Sequence, residues 1–132
     1  MTASVKVELA EAREVCPTTS HRMMNEGALI VDVREASEVA QAGFAGGDVV
    51  NIPLSQLEGR WQEIPTERDV IFACAIGERS LKATYFLMYQ GYTNVMNMNP
   101  GIARWVARGF EITGSPEGLA VSEAASSCCG GD

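Results

Sequence analysis

Positive charge is scarce in this chain. Ten Lys and Arg residues stand against 17 Asp and Glu, for a net charge of −7. A surface of that sign holds polyanions away, so neither nucleic acid nor an anionic membrane is expected as a partner. Histidine is scarcer still. The one His cannot complete a zinc site with Cys16, Cys74, Cys128 and Cys129, whose spacing fits no such site. No metal and no cofactor are expected. With 46% hydrophobic residues the chain can build a core without a disulfide framework. Long apolar runs are missing too, so no segment reads as a membrane span. Met1 to Glu14 carries Lys6, Glu8, Glu11, Arg13 and Glu14, which breaks the apolar stretch that a signal peptide requires. The expectation is a cytoplasmic protein with reduced thiols.

What is present suits one domain. The length of 132 residues supports a single core. Four short apolar runs stand out: Ala28 to Val33, Val49 to Ile52, Val70 to Ala73 and Val95 to Met98. The first and third are nearly continuous in apolar residues, as strands covered on both faces are. Between the runs lie helix-like segments at Pro17 to Glu26, Glu35 to Ala42, Leu54 to Gln62 and Ser80 to Gln90. Pro17 suits a first helical turn, and Gly27 and Gly91 suit helix ends. The alternation predicts an α/β fold, a mostly parallel central sheet with helices on both faces. Val5, Val7 and Leu9 alternate as a short extra strand would. Residues 1–14 read as an extension, 15–114 as the domain, and 115–132 as a small-residue, flexible tail.

The chemistry concentrates in Cys74-Ala75-Ile76-Gly77-Glu78-Arg79-Ser80. An apolar strand precedes it and a helix follows. That places a cysteine at a strand end, over a helix N-terminus with its free N–H groups. Such a site favours a sulfur anion, which is the nucleophilic form. Gly77 permits a tight curl of the loop. Arg79 offers a planar, permanently charged anion clamp. Ser80 and the helix behind it add donors and a dipole. The bland alternative is a buried, inert cysteine.

Five fragments, taken in order, resemble a single-domain rhodanese of the rhodanese-like sulfurtransferase superfamily. They are Val15-Cys16-Pro17, Leu29 to Glu35, Val50 to Leu54, Cys74 to Ser80, and Asn99 to Phe110. Phosphatases of that superfamily separate their cysteine and arginine by five residues; here four, Ala75 to Glu78, lie between Cys74 and Arg79. The shorter loop is similar to that of the sulfurtransferases. The resemblance implies covalent ping-pong transfer through a Cys74 persulfide. The loop Ala75, Ile76, Gly77, Glu78, Arg79 and Ser80 would bind the persulfide. The donor would be thiosulfate, another small sulfur compound or a protein persulfide. The acceptor would be a thiol, cyanide or a sulfur-carrier protein. The rival readings are a non-catalytic module that senses anions or redox state, and a phosphatase or arsenate-reductase-like enzyme. The resemblance also makes Asp32 and Arg34 structural, an ion pair pinning a strand end.

Departures from the family pattern are informative. Apolar Ala75 and Ile76 and acidic Glu78 stand where many thiosulfate-using members are basic. A carboxylate there repels dianionic thiosulfate and points to a persulfide donor. Gly43-Phe44 replaces a usual Gly-His pair, and Gly46-Gly47 follows, which predicts a locally different loop. His21 reads as a solvated surface residue. Tyr85, Phe86, Met88, Tyr89, Trp61 and Trp105 read as packing, and Cys16 as structural. In the tail, Cys128-Cys129-Gly130-Gly131 resembles the glycine-flanked cysteine arms of sulfur-carrier proteins. Cys128 and Cys129 are therefore candidates for a sulfur relay from Cys74.

Overall fold

A computed structural model describes residues 11–115. The expected strand at Val5, Val7 and Leu9 and the tail cysteines lie outside the described residues. The chain runs β1 (Glu14–Val15), α1 (Pro17–Asn25), β2 (Leu29–Asp32), α2 (Ala36–Gln41) and β3 (Ala42–Phe44). It continues through β4 (Val49–Asn51), α3 (Leu54–Arg60), a 3-10 turn (Trp61–Glu63) and β5 (Val70–Ala73). It ends with α4 (Glu78–Tyr89), β6 (Val95–Met98), α5 (Ile102–Ala107) and β7 (Ile112–Gly114).

Five strands form one sheet in the order β1-β6-β5-β2-β4, and every neighbouring pair is parallel. The alternation of strand side chains divides the apolar runs between two cores. Leu29, Val31, Val70 and Phe72 face α3 and α4, where Leu57, Ala83 and Leu87 cover them. Ile30, Ile71, Ala73 and Met96 face α1 and α5, where Met24, Ile102 and Trp105 cover them. Both faces are dry, so β-branched and aromatic residues fill successive positions rather than every second one. The parallel α/β architecture with helices on both faces is as the sequence predicts. Because all five strands run the same way, their C-terminal ends share one rim. Among the described residues no helix is long and apolar enough to cross a membrane.

Three local features differ from the sequence expectations. Gly43 and Phe44 belong to β3, which pairs antiparallel with β7, so a second small sheet stands where a variant loop is predicted. Phe44 is buried against Trp105, edge to face at 5.0 Å, and that burial holds the strand. His21 is not a solvated residue. Its ring stacks on Phe110 at 4.1 Å and meets Trp105 at 5.5 Å, because α1 and the residues after α5 pack on the same face. Tyr89 projects outward, 77% exposed, while Ala83 and Leu87 supply the packing of α4. Cys16 occupies the N-cap of α1, and Cys74 is a free, buried cysteine. Packing roles do hold for Trp105, fully buried, and for Trp61, edge to face with Tyr92 at 6.1 Å.

Candidate active site

Cys74 follows the last residue of β5, the strand hydrogen-bonded between β2 and β6. Its side chain is fully buried. The Gly77 N–H donates to Sγ at 3.1 Å and the Ser80 N–H at 3.3 Å. The Ser80 hydroxyl lies 3.3 Å from the same sulfur. Three polar groups thus converge on one sulfur atom, two of them fixed backbone dipoles. Such a ring stabilises negative charge on sulfur without reorganising when the charge appears.

The curl depends on Gly77. It caps α4 with φ +102°, a left-handed conformation that side chains resist. A Cβ there would also sit 3.0 Å from Asn99 Oδ1. The helix opens at Glu78, two residues earlier than the sequence predicts. Glu78 and Arg79 are therefore first-turn residues rather than loop residues. The left-handed cap starts the helix early, and the carboxylate of Glu78 suits the positive helix end. Ala75 is half-buried, Glu78 is exposed, and Ile76 is 61% exposed. Two and four residues after the buried sulfur, the chain thus presents an apolar side chain and a carboxylate to solvent.

Arg79 does not point at the sulfur as a free anion clamp. Its guanidinium makes a two-pronged pair with Glu38, at 2.8 Å and 3.1 Å. Glu38 also accepts the Glu35 N–H at 2.9 Å, closing a reciprocal cap on α2. The hydrogen bonds from Arg79 hold the Glu38 carboxyl below its ordinary range, against a partial opposing effect of burial. The same bonds raise the Arg79 pKa, and the nearby Cys74 and Asp32 charges add to the rise. Arg79 is thus within electrostatic reach of the sulfur while already bonded to a carboxylate.

Residues of β6 and the start of α5 hold the loop backbone in place. The Ile102 N–H donates to the Cys74 carbonyl at 3.0 Å. Gly101 lies so close that a Cβ there would overlap the Cys74 and Ala75 carbonyl oxygens. Asn97 Nδ2 donates to the Gly77 carbonyl at 3.3 Å and to Glu14 at 3.0 Å. Asn99 Nδ2 reaches the other Glu14 oxygen at 3.2 Å. Asp32 and Arg34 form a buried pair at 2.8 Å beside this rim, and neither reaches the sulfur through a hydrogen bond. Glu38 and Asn97 escape motif reading, and Asn99 is reached only as the first residue of a motif, with no role read for it. The Glu35-x-x-Glu38 spacing signals a helix start, but nothing in it announces a partner 41 residues onward.

The rhodanese-like domain family model matches residues 17–108. The chain is 40% identical over 93 residues to a sulfurtransferase of Allochromatium vinosum, covering 70% of this chain and 84% of that protein. It is 34% identical over 84 residues to a putative sulfur carrier protein, YrkF, of Bacillus subtilis, covering 64% of this chain and 44% of that protein. Among solved structures, a rhodanese-related protein of Thermoplasma volcanium aligns with a TM-score of 0.69 at 27% identity, over 76% of this chain and 97% of that one.

Proposed function

The chain belongs to the rhodanese-like domain family, and on that premise we propose that it is a sulfurtransferase carrying sulfane sulfur as a persulfide on Cys74. The observation that supports this most is the ring of Gly77 N–H, Ser80 N–H and Ser80 hydroxyl around Sγ. In the first half-reaction the Cys74 thiolate attacks the outer sulfur of the donor. A new Sγ–S bond forms as the donor S–S bond breaks. The bonding electron pair leaves with sulfite from thiosulfate, or with a thiolate from an organic persulfide. Cys74 is left as an anionic persulfide, and no outside oxidant or reductant is required. In the second half-reaction an acceptor thiolate, or cyanide, takes the outer sulfur and restores the Cys74 thiolate. The loop donors stabilise the negative sulfur at both stages.

The exposed carboxylate of Glu78 favours a persulfide over thiosulfate as donor. A sulfur-carrier protein is the acceptor class this reading assigns. Cys128 and Cys129 complete it as a relay that takes sulfur from Cys74 and presents it outward. The 14 steps from Gly114 to Cys128 set a covalent limit of about 45–50 Å on how far the chain can carry these cysteines, enough to reach across a domain of this size.

The test is intact-protein mass after exposure of reduced protein to thiosulfate and, separately, to glutathione persulfide. Wild type is expected to gain one sulfur, about 32 Da, and Cys74→Ser none. An equal gain in the variant, or none in wild type from either donor, rejects the assignment.

A further inference from the structure

The Glu38–Arg79 pair takes no part in the transfer steps above, yet it stands beside the mouth of the site. A guanidinium in the first turn of a helix opposes the helix dipole. Arg79 occupies such a position on α4, and Glu38 from α2 offsets its charge with two hydrogen bonds. The pair is only partly exposed, at 34% and 37%. Glu38 cannot easily swing away, since the same oxygen that meets Arg79 also accepts the Glu35 N–H. Held in this way, the Arg79 charge is already matched by Glu38 rather than offered freely beside the sulfur.

The geometry points to Glu38 as the residue that sets donor preference. By holding Arg79, it withholds positive charge from dianionic donors such as thiosulfate, whose leaving group is also a dianion. Donors whose only negative charge is on the persulfide itself escape that penalty. The inference rests on the sulfur-transfer reading and narrows its substrate class to organic persulfides with an uncharged body.

Glu38→Gln keeps an oxygen for the Glu35 N–H and removes the charge that neutralises Arg79. The probes are thiosulfate and 2-hydroxyethyl persulfide, which carries a single negative charge. The kcat/KM ratio of thiosulfate to hydroxyethyl persulfide is expected to rise roughly five- to tenfold, mostly through KM for thiosulfate. Glu35→Ala weakens the same helix cap without touching Arg79, so its ratio should stay at the wild-type value. A merely structural Glu38 would lower both donors alike and leave the ratio unmoved, which overturns the proposal. Wild type supplies a second measurement that depends on no variant's folding. Its kcat/KM for thiosulfate should rise between roughly 20 and 200 mM salt as repulsion is screened. A fall over that range means that a free cation attracts the dianion, and also overturns the proposal. Wild type that takes sulfur from neither donor defeats the sulfurtransferase reading itself, and this inference with it.

Discussion

Arg34 shows how much of the rim is held by a buried ion pair that makes no hydrogen bond to the sulfur. Its guanidinium donates to both Asp32 oxygens and, at 2.6 Å, to the Ala42 carbonyl at the start of β3. Asn51 closes the knot by donating to the Asp32 and Arg34 carbonyls. The pair is almost fully desolvated, with side-chain exposures of 2% and 1%. Removing one member leaves an uncompensated buried charge. Asp32→Ala should therefore lower unfolding free energy by about 3–5 kcal/mol in urea denaturation. Its folded fraction should still load sulfur on Cys74, since neither residue touches Sγ. The exposed Arg60–Glu63 pair has similar geometry, yet breaking it should leave the urea midpoint almost unmoved. The residue types at the rim were legible in the sequence, but the destination of Arg79 was not. Its partner Glu38 lies on another helix, and only the packed fold brings α2 against the start of α4.

At the scale of elements, α5 matters more to the site than its length suggests. It contributes no hydrogen bond to the sulfur, but its N-cap, Gly101, presses on the backbone of the Cys74 loop. A methyl group at Gly101 would overlap the Cys74 carbonyl oxygen. Gly101→Ala should therefore cost roughly 2 kcal/mol or more of stability and depress sulfur loading. Gly59→Ala is the matching control, because that glycine lies in the exposed part of α3 with nothing near its missing Cβ. It should stabilise by about 0.5–1 kcal/mol, read as a rise in the thermal midpoint. Elements made of continuous apolar residues, such as Val70–Ala73, can be read from sequence because both their faces are buried. Short elements held by distant partners cannot. Ala42-Gly43-Phe44 has no strand pattern of its own, and becomes a strand because Ile112–Gly114 returns to pair with it. The two-residue β1 has even less signal, and exists through its ladder with Asn97 and Met98.

For the whole molecule, the parallel sheet gathers its chemistry at one rim and leaves the tail to begin beside it. The Ser115 N–H still bonds to the Gln41 carbonyl at 2.8 Å, so the domain continues through that residue. A chain cut after Ser115 should keep its fold and its Cys74 loading. If Cys128 and Cys129 act as the proposed relay, transfer from the loaded protein to a protein thiol should slow several-fold, with transfer to cyanide unchanged. Equal rates to both acceptors, measured by stopped-flow on cut and uncut chains, would remove the relay. Cys74 itself ties the two halves of the molecule together. Its sulfur is gripped by the helix on one side of the sheet, and its carbonyl by the helix on the other. In the proposed transfer the sulfur end of the residue changes charge, gains an atom and loses it again. The anchored end keeps the same bond throughout, so each turnover leaves the frame in register for the next.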